Sequence, residues 1–232
     1  MSEQLVLGLN LAPALTDADF FVAPCNAHAL RLVEAWPDWS APAAIIHGPP
    51  GSGKTHLAQI WRGRSGAPIL PARDFKAAMI SEAGFGPIVL EDADKGPLDE
   101  AGVFHLLNLA REIGFSVLLT GRKAPGHWDI SLPDLRSRIR SYPTAPIAEP
   151  DDELLGAVVL KLFSDRQLLL SPDAVPYLLQ RMDRSLEAAQ ALVAEIDAAS
   201  LSAQRKVTKA FIAAHLKARA GGASAADQPD EG

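Results

Sequence analysis

The most explicit chemistry in the chain sits in eight residues, Gly48-Pro49-Pro50-Gly51-Ser52-Gly53-Lys54-Thr55, which fit the phosphate-cradling spacing G-x-x-x-x-G-K-[ST]. The glycines let backbone N–H groups converge on a phosphate where a side chain would obstruct them. A helix opening at the end of the loop turns its positive N-terminus toward the same anion. Lys54 supplies a mobile positive charge for the outer phosphates, and the Thr55 hydroxyl is placed to ligate Mg²⁺.

Acids follow at the end of the apolar run Ile88-Val89-Leu90: Glu91-Asp92, then Asp94. A carboxylate at such a strand tip can hold the metal while a neighbouring one orients the attacking water. The plainer alternative is that these acids only cap the next helix. Strand alternation predicts that Glu91 and Asp92 point to opposite sides, so they do not share one role. Phe115–Thr120 ends in a polar residue, and Thr120 is either a phosphate or water contact or simply a strand former. Leu132-Pro-Asp-Leu-Arg136-Ser-Arg138-Ile-Arg140 carries three arginines on a segment with a Pro-Asp helix start. Alternate positions share no helix face, so either one of them reaches a neighbouring subunit's γ-phosphate or all belong to a solvated basic turn. Arg184 stands at the start of an amphipathic helix, where the dipole opposes a cation and a compensating anion is expected.

The elements that position these residues are legible in the apolar pattern. Four short strand candidates, Ala43–His47, Ile69–Pro71, Pro87–Leu90 and Phe115–Thr120, alternate with helical segments, which argues for a parallel sheet with crossover helices. After Pro150 the strand signal vanishes. Asp151–Phe163, Pro172–Met182, Leu186–Leu201 and Thr208–Lys217 read as helices. The expected organisation is an extended peptide over 1–16, an α/β nucleotide-binding domain over 17–149, an all-α domain over 150–219 and a disordered tail over 220–232.

Composition narrows the function classes. The chain has 232 residues and a net charge of −6, which disfavours wrapping duplex DNA as the main activity. One cysteine, Cys25, excludes an intramolecular disulfide framework. The first basic residue is Arg31, so the basic start of a secretory signal is absent, and Leu154–Leu160 is far too short to span a bilayer. A cytoplasmic protein without a membrane partner is expected.

Together, the loop, the acidic strand end, the polar strand tip, the Pro133–Ile139 segment and the Asp183-Arg184-Ser185-Leu186-Glu187 helix start resemble an AAA+ ATPase. More narrowly they resemble the DnaA/Hda family of bacterial replication proteins; Ile196–Thr208 is particularly similar to its short Hda branch, and the likeness spans about Asp19 to Leu216. The resemblance implies a P-loop AAA+ parallel sheet followed by a small all-α lid. It places Walker A at Gly48–Thr55 with His56 beside it, Walker B at Glu91–Asp92 with Glu91 on the metal, and sensor 1 at Thr120. It also places a trans-acting arginine finger at Arg138, sensor 2 at Arg184, and an adenine pocket along Phe21, Val22 and Asn26. ADP or ATP with Mg²⁺ is the implied cofactor. Glu91 stands where the family usually has Asp, and Arg122 where it usually has an acid, so weak intrinsic hydrolysis is expected.

The chain stops after the lid without a helix-turn-helix segment, so no sequence-specific DNA binding of its own is expected. Gln4-Leu5-Val6-Leu7-Gly8-Leu9 resembles the clamp-binding peptide of bacterial replication proteins, with Gln4, Leu5, Leu7 and Leu9 as the docking side chains. The alternative is that these leucines add an edge strand to the domain. The implied function is a regulator that docks on the sliding clamp (the polymerase β subunit) and provokes ATP hydrolysis by the initiator DnaA, restraining initiation. A homodimer is compatible with it. The competing expectation is a helicase-loader-like ATPase acting as an oligomer on single strands.

Overall fold

Five short strands, rich in Ile, Val, Leu and Ala, form one parallel sheet. The computed structural model describes residues 20–82, 86–171 and 173–225. Within it β1 (Ala43–His47), β2 (Ile69–Pro71), β3 (Ile88–Glu91), β4 (Val117–Gly121) and β5 (Thr144–Pro146) lie in the order β2-β3-β4-β1-β5. All four strand pairings of this sheet are parallel, with Ile45 opposite Leu119 and His47 opposite Gly121. Alternation sends neighbouring residues to opposite faces. Ile45, Leu90 and Leu119 join one core with α4 (Glu100–Ile113) and α5 (Pro133–Ser141). Ile46, Val89 and Leu118 join the other with α1 (Ala27–Glu34) and α2 (Lys54–Ser65). The central strands are therefore buried on both sides, as a parallel sheet requires.

A third core belongs to the helical part: α6 (Asp152–Asp165), α7 (Ala174–Leu179), α8 (Leu186–Ala203) and α9 (Lys209–Ala225) pack around Val159, Phe163, Val193 and Ile196. Phe21, Ala23 and Cys25 lean on this cluster while Phe20 sits in the α1/α2 core, so the segment before α1 ties the two parts together.

The layered α/β fold followed by helices agrees with the expectation, and several details differ from it. The expected helix over 172–182 is only α7, and α9 runs on to Ala225, so residues 220–225 are helical where a disordered tail was expected. Ala and Gly at 220–225 carry no hydrophobic stripe, but Ala sustains a helix that is already nucleated upstream. Strand β5 had no sequence signal: it is three residues long with Pro at 143 and 146, tolerable only because β5 is an edge strand. The peptide with Gln4, Leu5, Leu7 and Leu9 lies outside the described residues, as do 226–232. No helix among the described residues is long and apolar enough to cross a membrane.

Candidate nucleotide site

The phosphate loop leaves the C-terminal end of β1, between β4 and β5 in the sheet, which is where open parallel sheets form their binding crevice. Gly51 (φ +66°) and Gly53 (φ +100°) both adopt the left-handed backbone that side chains resist, and Gly53 caps α2 with no side-chain bond of its own. A Cβ on Gly48 would collide with the Ile147 carbonyl. Lys54, the first residue of α2, is 7% exposed, and its Nζ donates to the carbonyls of Gly48 (2.8 Å) and Pro49 (2.6 Å). Burial holds its pKa below the usual lysine range, opposed first by the nearby Asp92 charge. The Ser52 hydroxyl is buried with no hydrogen-bond partner, whereas Thr55 is exposed beside it.

The acidic strand end departs from simple alternation. Pairing of β3 with β4 is regular through Leu90–Leu119, and then Asp92 turns into the left-handed region at φ +55°. Buried Thr120 secures that turn: its hydroxyl accepts from the Asp92 N–H (3.1 Å) and its carbonyl from Ala93 N–H (2.8 Å). The expected opposition of Glu91 and Asp92 thus has no straight strand to rest on. Asp92 pairs with Lys95 (3.7 Å), while Glu91 keeps a buried, unpartnered Oε1. Asp94, the third acid of the strand end, accepts from the backbone N–H of Arg122 and Lys123 and so fixes the loop after β4.

The helical part closes over the loop. The Leu186 N–H at the head of α8 donates to the Gly51 carbonyl (3.0 Å), and Ser185 caps the helix by accepting from Ala188 N–H (3.0 Å). Beside this contact a cleft of about 40 Å³ lies among Phe20, Phe21, His56, Val158, Leu162 and Leu186. The Phe20 ring meets His56 edge-on at 5.1 Å. Of the expected adenine-pocket residues, only Phe21 lines this cleft. Val22 is 60% exposed and lines a separate groove with Leu30 and Ile60. Asn26 is buried and spent on local backbone, accepting from Ala23 N–H (2.9 Å) and donating to the Phe21 carbonyl (2.8 Å), so it shapes the segment from behind. Arg184 does not reach the loop: the compensating anion is Asp152, at 2.9 Å, with both side chains more than half exposed.

Arg138 stands apart from all of these. It is half-buried on α5, its Nη1 donates to Asn108 Oδ1, and its guanidinium lies 4.6 Å from the centre of the Phe104 ring. Arg136 and Arg140 on the same helix are exposed, and Arg140 donates to the Gly126 carbonyl (3.0 Å).

Residues 157–216 match the family model described as the lid domain of Hda. The fold is similar to domain III of the replication initiation protein DnaA from Thermotoga maritima, with a TM-score of 0.75 at 18% identity over 88% of this chain and 96% of that one. The helical part carries an Hda-type lid, on a chain with a DnaA-like AAA+ fold. Similarity extends to AMPPCP-bound DnaA from Aquifex aeolicus (TM-score 0.67, 21% identity, 81% of this chain and 66% of that one). It also reaches the RuvB Holliday junction branch migration motor of Thermotoga maritima (TM-score 0.68, 15% identity, 85% and 70%).

In this DnaA-like fold the loop fits a polyphosphate. A close-approach backbone, an orphaned Ser52 hydroxyl and a buried ammonium converge where a Cβ would not fit. The donors also suit Mg²⁺, which takes one or two protein oxygens and completes its shell with phosphate and water. Thr55 and the unpartnered Glu91 oxygen would be those donors, and no cluster of three or more acidic, His or Cys residues among the described residues could hold a metal alone. The cleft side chains Val158, Leu162 and Leu186 escaped sequence reasoning because they come from helices remote in sequence and look like ordinary core residues.

Proposed function

We propose that this protein binds ADP or ATP with Mg²⁺ between its α/β core and helical lid, and regulates the start of DNA replication through the initiator DnaA. It docks on the sliding clamp through Gln4–Leu9 and presents Arg138 to the triphosphate held by the initiator. The observation that most directly supports this is the Hda lid match over 157–216, in helices whose head is bonded to the phosphate loop. The AMPPCP named for the similar Aquifex aeolicus structure supports an adenine nucleotide as the ligand.

The chain's own residues have separable tasks in this reading. The loop N–H groups and Lys54 bind the phosphates, exchanging the Gly48 and Pro49 carbonyls for phosphate oxygens. Thr55 and Glu91 would hold Mg²⁺, which when bound neutralises charge on the phosphate oxygens. Phe21 and the lid residues exclude water from the base. Arg138 contacts no residue of its own loop in the hydrogen bonds and ring contacts it makes, so its guanidinium is available for a phosphate on a neighbouring molecule.

The test is ATP hydrolysis by purified initiator with DNA-loaded clamp and this protein. Stimulation is expected, and Arg138→Ala should reduce it by roughly a thousandfold, the scale of an arginine finger. Leu5→Ala with Leu7→Ala should abolish it separately. Stimulation that survives both changes defeats the proposal.

A further inference from the structure

Strands β1 and β4 are neighbours with His47 opposite Gly121, so the residues that follow them, Gly48 and Arg122, leave the sheet side by side. The Gly48 N–H donates to the Gly121 carbonyl (3.1 Å), which ties the first residue of the phosphate loop to the residue before Arg122. Lys54 Nζ donates to the carbonyl of the same Gly48, so the ammonium and Arg122 flank one stretch of backbone. Burial is the main force lowering the Lys54 pKa and the Arg122 charge adds to it, which puts the guanidinium within electrostatic reach of the ammonium.

The backbone at Arg122 is pinned in that place. The Asp94 carboxylate accepts from the N–H groups of Arg122 (2.9 Å) and Lys123 (2.7 Å), and Trp128 Nε1 donates to the Lys123 carbonyl (2.7 Å). The Trp128 ring packs so closely on Gly121 that a Cβ there would come within 2.8 Å of it. Two of the nearby acids are already engaged, Asp94 by these N–H groups and Asp92 by Lys95 (3.7 Å). Among the described residues the Arg122 guanidinium has no ion pair and no hydrogen bond of its own, and the side chain is exposed. A solvated surface arginine is ordinary. One whose main chain is fastened beside an anion cradle, with neighbouring acids spent elsewhere, has a place ready for an anion. Its planar fork of five donors matches the oxygens of a phosphate, and it stays charged at any working pH. Lys54 is enclosed and Arg122 is exposed, so Arg122 meets the solvent-facing end of a bound polyphosphate.

We propose that Arg122 is a second phosphate-binding cation of this site, directed at the outermost phosphate of a nucleoside triphosphate. It makes the pocket discriminate triphosphate from diphosphate, and it supplies there part of the positive charge otherwise left to Mg²⁺. This role rests on the reading of the loop as a nucleotide site.

The test is calorimetric titration of the full-length protein with AMPPCP and with ADP, each in Mg²⁺ and in EDTA. Arg122→Ala should weaken AMPPCP binding roughly twentyfold and ADP binding by less than about twofold, because the diphosphate lacks the group that Arg122 holds. The loss for AMPPCP should widen in EDTA, where the guanidinium carries more of the charge. Arg122→Lys keeps the charge without the fork and should fall between wild type and alanine. Arg122→Asp puts a like charge beside the phosphate and should weaken AMPPCP roughly a hundredfold in EDTA. The thermal unfolding midpoint should be unchanged in all three, since the Arg122 side chain is exposed and its loop is held through the main chain.

Equal losses for the two nucleotides, or none, overturn the assignment of Arg122 while Lys54→Ala still fails to bind. A Lys54→Ala variant that binds both nucleotides like the wild type removes the nucleotide site itself. Should Arg122→Asp unfold, the alanine and lysine variants still decide the matter.

Discussion

The phosphate loop and helix α5 each present a cation, and they hold it by different means. Lys54 is held by main-chain carbonyls five and six residues before it, in a loop shaped by two positive-φ glycines. Arg138 is held by side chains, the nearest partner in α4 being 30 residues away. A site made from backbone tolerates most changes around it and fails only at its own glycines and its lysine. A site made from side chains of two helices depends on their packing and can be lost at any of its contributors. The two cations also differ in burial: Lys54 is almost fully enclosed, whereas Arg138 keeps a solvent-facing side.

This contrast can be broken or sharpened at several points. Lys54→Ala should weaken adenine nucleotide binding by roughly a hundredfold or more, since it deletes charge-assisted bonds to the phosphates; calorimetric titration checks it. Thermal unfolding of the free chain should change little by comparison.

A pH series probes the same ammonium. Burial lowers the folded-state pKa of Lys54, so between that value and the ordinary lysine range the unfolded chain binds more protons than the folded one. Lys54 therefore adds stability to the free chain as pH rises through this window, while nucleotide affinity falls as the ammonium is lost. Opposite slopes in unfolding and binding measurements are the expected result, and parallel slopes contradict it.

Gly51→Ala combines a left-handed backbone with a Cβ that would come within 2.7 Å of the Ser185 Cβ. It should destabilise the chain by about 2 kcal/mol and lift the head of α8 from the loop, seen as a lower unfolding midpoint and faster amide exchange at Leu186. The smallest effect is expected at Arg184. Its pairing with Asp152 is solvent-exposed, so Arg184→Ala should change stability by under about 0.5 kcal/mol in denaturant titration. A large loss of nucleotide affinity in the same variant would show that Arg184 leaves Asp152 for the phosphates when nucleotide binds.

How much of this was readable beforehand follows from the range of each interaction. The strands β1, β3 and β4, the loop and helices α6 and α8 were visible because apolar runs, glycine spacing and cap residues are local signals. Strand β5 was not, because two prolines hide a three-residue edge strand supported by its pairing with β1 and by burial of Ala145 against α1, both remote in sequence. The site divided along the same line. Lys54 stands where the motif put it, but the direction of the acids did not follow from alternation once Thr120 pulled Asp92 into a left-handed turn. Arg184 had a sequence argument for an anion and found a different one, Asp152, on α6.

The amino-acid sequence alone determined that a phosphate loop joins a buried strand to a helix, because that motif is written in consecutive residues whose backbone freedom and charge act locally. The tertiary structure alone decided which carboxylate oxygen stays unpaired, which helix head seals the loop, and which arginine of three is clamped. Those outcomes depend on side chains brought together from distant elements by burial of a common core, and burial selects positions in space without marking them in the chain.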